Sequence, residues 1–229
     1  MEKVVSDWYD SYYQKVNLTG KSGSFSANKI HKLIESGRLK GNYAKCLEVG
    51  TNNMSHIPFV HHSWDKYSLV DLRPKEENEA SGDVILSAIS YSQADIHSLP
   101  FQDDIFHRGI ATCLFHHLDD PLKAMRELKR VVQPNGVIEL FLPCNPGLLY
   151  RTIRVLTTGL TAKKHGVSTE SKYLKAIEHR NHVESLILMA KFTYGPENLH
   201  VEWFPFKLPS WNFNISCVIR IKNVKRAEK

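Results

Sequence analysis

The rhythm of short apolar runs along residues 45 to 143 constrains the fold of this chain more than any other feature. KCLEVG, YSLVDL, HRGIATCLF and GVIELFLP each have the composition of a buried strand, and a weaker run lies around DVILSAIS or YSQADI. Helix-like stretches separate these runs. Such alternation is typical of a largely parallel sheet with helices on both faces, so the sequence predicts an α/β, doubly wound fold.

Local signals mark several elements of this fold. The clearest helix begins at Asp119 or Asp120 as its N-cap, has Pro121 in its first turn and ends at a Pro-Asn-Gly turn. Apolar spacing predicts a helix over 27 to 36 and an aromatic-striped helix over 4 to 16. HVEWFPF and ISCVIRI, near the C-terminus, predict an antiparallel hairpin at the sheet edge.

We expect a single domain over 1–229 with four parts, since nothing in a chain of this length demands a second core. A helical cap at 1–44 precedes a ligand-binding core at 45–146. The polar, helix-prone stretch 147–195 interrupts the strand alternation and is interpreted as a helical insertion or lid. The hairpin then occupies 196–229.

Composition narrows the class of protein. The 42% hydrophobic and 24% charged residues are ordinary for a globular domain, and the longest apolar runs fall far short of the ~20 residues that a membrane helix needs. The N-terminus lacks the apolar stretch of a signal peptide, so we expect a cytoplasmic protein without a membrane span. Four cysteines lie scattered in apolar runs and are expected to be buried, reduced thiols: Cys46, Cys113, Cys144 and Cys217.

Two strand ends offer ligand-binding residues. Ligands of doubly wound sheets bind beyond the carboxyl ends of the strands, where the strand order reverses. Gly50 ends the first run and would let a ligand approach the backbone, while Asp71, about 20 residues on, can accept hydrogen bonds from ribose hydroxyls. Asn52 and Met54 stand where a nucleotide-binding loop usually has glycines; asparagine tolerates positive φ, so weaker ligand affinity is expected rather than loss.

The series CLEVG, LVDL, ADIHSLPFQDDIF and LFHHLDDPLKAMRELKRVVQPNGVIELFLP resembles, in order and spacing, the class I S-adenosylmethionine-dependent methyltransferases. The small-molecule, methyltransferase type 11-like branch is the most similar, and the resemblance covers about 45 to 143. It implies a Rossmann-like, seven-stranded, mostly parallel sheet with a C-terminal antiparallel hairpin and S-adenosyl-L-methionine as cofactor. His107 departs from the family, which commonly has an acidic residue at the start of the fourth strand.

The resemblance also implies a role for individual residues. Glu48 and Gly50 would lie by the methionine portion of the cofactor and Asp71 by the ribose hydroxyls, while Asp95 would accept a hydrogen bond from the adenine amino group and Ile96 would pack on the ring. The backbone at Thr112 and Cys113 would face the amino-acid moiety. The implied cofactor-binding set is Glu48, Gly50, Thr51, Asn52, Asp71, Leu72, Asp95, Ile96, Thr112 and Cys113.

Histidines are the candidate catalytic residues, because an imidazole with a pKa near neutrality can take a proton from a hydroxyl acceptor. His116 and His117 directly follow the fourth strand. In EHRNH, His179 and His182 follow Glu178, and a helix there would place Glu178 and His182 on one face. We predict no metal site, because adjacent histidines on a strand point apart.

The insertion is basic. Between 147 and 182 the chain has seven Lys or Arg against two Glu. This charge suits a small anionic acceptor, such as a sugar or nucleotide-linked sugar hydroxyl. Two other interpretations stay open: an RNA or protein methyltransferase, although no nucleic-acid-binding module is recognisable, and a non-catalytic member of the fold that binds a partner. A homodimer also stays open.

Overall fold

The computed structural model describes residues 29–36, 39, 41–51, 56–73 and 86–225, and seven strands within them form one sheet. In chain order the strands are β1 (Lys45–Val49), β2 (Lys66–Asp71), β3 (Ile89–Gln93), β4 (Phe106–Thr112), β5 (Val132–Pro143), β6 (Leu199–Phe204) and β7 (Ser216–Lys222). The helix predicted over 4 to 16 and the residues Asn52 and Met54 lie outside the described residues.

The described α-helices precede the sheet or lie in the connections from β4 to β5 and from β5 to β6. They are α1 (described over 29–35), α2 (Pro121–Val131), α3 (Leu148–Arg154), α4 (Leu160–Lys164), α5 (Ser168–Glu178) and α6 (Val183–Tyr194), and a π-helical turn, Val155–Gly159, joins α3 to α4. The last four helices lie between β5 and β6, where the sequence predicts the insertion. Among the described helices, none combines the length and the apolarity that a bilayer crossing requires.

The strand order is β3-β2-β1-β4-β5-β7-β6. Neighbours from β3 to β5 pair in parallel, while β7 pairs antiparallel with both β5 and β6. The order reverses between β1 and β4, which is the switch point where ligands of such sheets bind. The predicted Rossmann-like, seven-stranded, mostly parallel sheet with a C-terminal antiparallel hairpin is therefore confirmed.

One face of the sheet is apolar and is covered by α2 and α6. Met125, Leu128 and Val131 of α2 are fully buried there with Leu186 and Ala190 of α6. Burying a side chain of leucine size stabilises the fold by about 1.5–3 kcal/mol. This packing fixes α2 and α6 on the sheet.

The N-terminal end of α2 confirms its predicted cap, because the Asp120 side chain accepts a hydrogen bond from the Lys123 N–H at 2.9 Å. Its other end lies three residues before the Pro-Asn-Gly turn that the sequence predicts as the stop. The Asn223 amide, from beyond β7, donates to the carbonyls of Lys129 and Val132 at 3.0 and 2.6 Å. A contact distant in sequence therefore ends this helix.

The opposite face carries a buried network of charges against α1. Arg108 is fully buried; its Nε donates to Glu139 Oε2 at 2.8 Å, and its Nη2 lies 2.7 Å from Glu35 Oε1. His62 Nε2 lies 2.8 Å from Arg108 Nη1, and Arg220 pairs with Glu139 from β7. Removing one member would leave its partner as a buried charge without a counter-charge, which is costly. This network therefore fixes α1 on the sheet.

All four cysteines are free thiols. Cys46, Cys144 and Cys217 are buried, as predicted, whereas Cys113 is only half-buried. Burial raises the pKa of Cys113 to about 12, so this residue is a neutral thiol at physiological pH.

Candidate functional site

The carboxyl ends of β2, β1 and β4 meet at one edge of the sheet, because these three strands are adjacent and parallel. Gly50 follows β1 with φ +71°, and its N–H donates to the Val70 carbonyl at 2.8 Å. A Cβ at this position would stand 3.1–3.2 Å from side-chain atoms of Leu114. Both the backbone conformation and the space therefore require glycine at the switch point.

Glu48 is fully buried two residues before Gly50. Its Oε2 accepts a hydrogen bond from the Tyr67 hydroxyl at 3.0 Å, whereas its buried Oε1 has no hydrogen-bond partner in the described part of the chain. Burial raises the pKa of this carboxyl to about 7, against the opposing influence of His56. A raised pKa and an unpaired buried oxygen are features of functional sites.

Asp71 ends β2 beside that edge. Its Oδ1 accepts a hydrogen bond from the Arg73 N–H at 3.0 Å, which places the carboxylate at the strand end. Leu72 follows it and is 69% exposed, so this apolar side chain is available for contact with a ligand. Thr51, which follows Gly50, is buried.

Asp95 and Ile96 lie in the turn after β3. Asp95 Oδ1 accepts from the His97 N–H at 2.9 Å and lies 2.6 Å from His97 Nδ1. The backbone hydrogen bond from His97 is the main cause that lowers the pKa of Asp95, so the group is ionised at neutral pH. Ile96 is buried in the apolar core beneath the turn.

Thr112 and Cys113 form the end of β4. Thr112 pairs with Phe141 of β5, and the Cys113 N–H donates to the Phe141 carbonyl at 3.1 Å. Cys113 has φ +52°, a conformation that is uncommon for a residue with a side chain and that clusters at functional sites. The chain turns sharply here into the histidine pair.

Three of the four candidate histidines come together beyond β4. His116 and His117 lie on a 3₁₀ turn, Phe115–His117, and His179 directly follows α5. Their ring centroids are 4.0 Å (116 to 117), 4.6 Å (116 to 179) and 5.1 Å (117 to 179) apart. Burial lowers the pKa of all three imidazoles, that of His179 to about 3.

Asn181 holds the insertion against this turn and was not recognised from the sequence. Its side-chain amide donates to the carbonyls of Phe115 and Leu118 at 3.2 and 2.7 Å. Its backbone N–H donates to the His116 carbonyl at 3.2 Å. The asparagine in EHRNH was a weak signal, because nothing in the sequence shows which carbonyls it would meet.

The predicted helical face shared by Glu178 and His182 is wrong. α5 ends at Glu178, His179 has φ −89° and ψ 72°, and His182 is the exposed N-cap of α6. The hydrogen bonds of Asn181 to the turn draw this segment out of helical conformation. His182 therefore lies outside the group that the other three histidines form.

The expectation that the adjacent histidines point apart is also wrong. That expectation assumes a strand, but His116 and His117 lie on the 3₁₀ turn, and their rings are tilted by only 41°. Successive side chains on a helix with three residues per turn are separated by about 120°, not by the 180° of a strand. The reason given against a metal site at this pair therefore does not hold.

Two cations stand beside His179. Arg154 ends α3 and Lys175 lies on α5, and their charges both help to lower the pKa of His179. Burial and the charge of Arg154 lower the pKa of Lys175 to about 8. Within the described ranges, no carboxylate lies within ion-pair distance of either cation.

The same corner contains an aromatic side chain that the sequence did not single out. The Tyr150 ring centroid lies 5.7 Å from the Arg154 guanidinium carbon, and burial raises the pKa of its hydroxyl. By contrast, the five other lysines and arginines between 147 and 182 are exposed at the surface of the insertion: Arg151, Lys163, Lys164, Lys172 and Arg180. Positive charge of the insertion therefore reaches the histidine group through Arg154 and Lys175 beside His179 and through Arg180, whose charge helps to lower the pKa of His117.

Comparison with known proteins shows that the segment from β1 to β5 matches a known domain family. Residues 47–140 match the family described as "Methyltransferase domain". A 126-residue stretch is 28% identical to the chloroplastic 2-methyl-6-phytyl-1,4-hydroquinone methyltransferase 1 of Oryza sativa subsp. japonica. That match covers 54% of this chain but only 38% of the length of the rice protein.

Two solved structures share the fold over almost the whole chain. The Haloferax volcanii chain determined in complex with the Trm112 methyltransferase activator has a TM-score of 0.61 at 13% identity and covers 98% of this chain and 100% of its own. An S-adenosylmethionine-dependent methyltransferase of Thermotoga maritima also has a TM-score of 0.61, at 14% identity, with 96% and 98% covered. At 13% and 14% identity, this likeness shows a shared fold and nothing beyond it.

Proposed function

We propose that this chain, whose residues 47–140 match a methyltransferase domain family, transfers a methyl group from S-adenosyl-L-methionine to a small anionic acceptor. A hydroxyl of a sugar or nucleotide-linked sugar is our first choice. The observation that carries this choice is the position of Arg154 and Lys175, two cations without a carboxylate partner among the described residues, beside His179.

The residues at the sheet edge suit the cofactor. The unpaired Oε1 of buried Glu48 offers an acceptor to the ammonium end of the methionine portion, and the glycine conformation at Gly50 leaves the backbone open to it. The carboxylate of Asp71 suits ribose hydroxyls. When bound, S-adenosylmethionine supplies an electrophilic methyl group on its sulfonium. The residues that would hold it are Glu48, Gly50, Thr51, Asn52, Asp71, Leu72, Asp95, Ile96, Thr112 and Cys113.

The chain itself contributes mainly position. Methyl transfer is an in-line displacement, so holding the acceptor oxygen in line with the methyl group supplies much of the rate. Arg154 and Lys175 would bind the anionic group of the acceptor by charge-assisted hydrogen bonds. Because a general base works best with a pKa near the working pH, the low pKa of His179 makes it a weak base.

We assign different positions to the four candidate histidines. His117 and His179 are half-buried and would face the acceptor, whereas His116 is buried beneath them. His182 is exposed at the start of α6 and has no neighbour in the histidine group. Removing His117 or His179 should therefore reduce turnover more than removing His182.

Calorimetric titration with S-adenosylmethionine and with S-adenosylhomocysteine tests the cofactor site. Asp71→Asn should weaken binding by roughly 10-fold or more, because it removes a charged acceptor of hydrogen bonds worth about 1.5–3 kcal/mol. Asp65→Asn is the matched control, since Asp65 precedes the opposite end of the same strand. Folded protein that gives no heat with either ligand would defeat the enzyme proposal in favour of a non-catalytic binding protein.

A second experiment identifies the class of acceptor. Protein with methyl-labelled cofactor is incubated separately with nucleotide sugars, sugar phosphates, total RNA and a peptide pool. We expect label in an anionic sugar fraction, and less of it with Lys175→Met. Label found only in RNA or only in peptides would refute the small anionic acceptor and favour an RNA or protein methyltransferase.

A further inference from the structure

We propose that His116, His117 and His179 form a binding site for a divalent transition-metal ion, best suited to zinc, beyond the carboxyl end of β4. Each residue offers one ligand nitrogen, and the three nitrogens all lie within 4.8 Å of one another. The site joins two elements distant in sequence, the 3₁₀ turn after β4 and the end of α5.

Two of the three imidazoles have a buried nitrogen without a hydrogen-bond partner among the described residues. Nδ1 of His116 and Nδ1 of His179 are both buried and have no hydrogen-bond partner in the described part of the chain. His116 is only 4% exposed, so bulk water does not solvate its ring. Each such buried polar atom costs about 1–3 kcal/mol when it is left unpaired. A metal ion shared between the rings removes this cost at two atoms at once.

The third imidazole is oriented as metal-binding histidines usually are. His117 Nδ1 lies 3.1 Å from the Glu178 carbonyl oxygen, to which it would donate its proton. That hydrogen bond leaves the lone pair on Nε2, the other ring nitrogen, for a ligand. A carbonyl or carboxylate on the second nitrogen is the ordinary support of a metal-bound histidine. The Glu178 carboxylate lies 3.7 Å from the same Nδ1 and adds negative charge behind the ring.

Ligand number and type favour zinc. Zinc binds imidazole nitrogen at about 2.0–2.1 Å, and three nitrogens around one tetrahedral ion lie roughly 3.4 Å apart. The rings must therefore close in by about an ångström, which rotation of the side chains can supply. A site with three histidines leaves the fourth position open for water or another oxygen ligand.

Arg154 and Lys175 act against a bare cation at this site, because their positive charges face His179. An anion that contacts both the cations and the metal would relieve this repulsion. We therefore expect phosphate to strengthen metal binding. At the open position, the ion would polarise the acceptor oxygen that the weakly basic histidines cannot deprotonate. That role rests on the proposed methyl transfer, whereas the metal binding does not.

Metal binding is measured directly on the tag-free, full-length protein after dialysis against a chelator. Zinc is titrated in competition with a chromophoric chelator, and cobalt is followed by its visible absorption, which reports tetrahedral coordination. We expect one equivalent per chain. His117→Ala and His179→Ala should each weaken binding by at least about 10-fold, and inorganic phosphate should tighten the binding of zinc to the wild-type protein.

His182→Ala is the matched control, because it removes an exposed histidine three residues from His179 and outside the cluster. It should bind zinc like the wild type. Zinc binding that survives both His117→Ala and His179→Ala, in protein whose circular dichroism is unchanged, would overturn the proposal and assign the ion to a thiol or surface histidine. Folded wild-type protein that binds neither ion would overturn it too. Cofactor titration distinguishes these outcomes from failure of the proposed function.

Discussion

Glu48→Gln should stabilise the protein at alkaline pH, although Glu48 belongs to the proposed cofactor site. The carboxyl of Glu48 is fully buried, accepts one hydrogen bond from Tyr67 and has an unpaired oxygen. Burial raises its pKa from 4.5 to about 7. Ionising the Glu48 carboxyl therefore costs more in the folded protein than in the unfolded chain, so the wild type loses stability as the pH rises.

The magnitude follows from that change in pKa. Between pH 4.5 and about 7 the unfolded chain binds fewer protons than the folded protein, and stability falls throughout this window. Above it, the full cost of about 3 kcal/mol is present. A neutral glutamine never bears this cost. The free energy of unfolding of the variant should therefore gain about 2–3 kcal/mol on the wild type between about pH 5 and about pH 8.5.

Urea denaturation followed by circular dichroism, at several pH values, measures this difference. Any contact of the acid that the glutamine amide does not reproduce adds a difference in stability that is constant with pH, so the trend with pH stays the same. Asp65→Asn, at an exposed position, serves as the control and should give a difference that does not change with pH. Parallel stability curves for wild type and Glu48→Gln would refute the assignment of a raised pKa to Glu48.

Three further predictions concern other parts of the molecule. Gly50→Ala should lower the free energy of unfolding by about 1–2 kcal/mol, because positive φ and the contact with Leu114 both oppose a Cβ; thermal unfolding measures the loss, and unchanged stability would contradict it. Arg108→Met should lower it by about 3–5 kcal/mol in urea denaturation, since it leaves buried Glu35 without its arginine and Glu139 with Arg220 alone, and a loss below 1 kcal/mol would show that the network is not buried as described. Arg154→Met and Lys175→Met should each raise the KM for the acceptor by roughly 10-fold and leave cofactor affinity unchanged in calorimetry; equal losses of both would place these cations elsewhere.

The sheet, and the edge at which the candidate site residues lie, could be predicted from the sequence because both depend on local patterns. Parallel strands buried on both faces have continuous apolar runs, and residues that end such strands meet at one edge whatever the details of packing. Gly50, Asp71 and Thr112 needed only their strand and its direction to be placed correctly. The reversal of order after β1 then brings these ends to the switch point.

The histidine group could not be predicted, because it depends on contacts between distant segments. Whether His116 and His117 diverge is decided by the 3₁₀ turn, and whether His179 stays helical is decided by Asn181. A periodic pattern reports neither. The sequence showed two pairs of candidates, one after β4 and one in the insertion. It did not show that His179 of the second pair lies against His116 and His117.

The charges of the other sheet face illustrate the same limit. Arg108 and Glu139 interrupt the apolar runs HRGIATCLF and GVIELFLP, and a charge inside a buried strand needs a partner. The sequence indicates that partners must exist. Only the register of β4 against β5, together with α1, shows that Arg108 lies between Glu139 and Glu35.

Buried polar atoms in this protein therefore fall into two groups with different meanings. The charges around Arg108 are paired and act on stability. Five buried side-chain atoms of the described residues are unpaired, and those of Glu48, His97, His116 and His179 lie at or beside the ends of β1, β3 and β4, while only that of Asn223 lies elsewhere. An unpaired buried polar atom costs about 1–3 kcal/mol, so four of them along one edge destabilise the unliganded fold there. A ligand that supplies the missing partners would remove this cost. This distribution, rather than any single residue, supports the proposals that the cofactor and a metal ion bind at this edge.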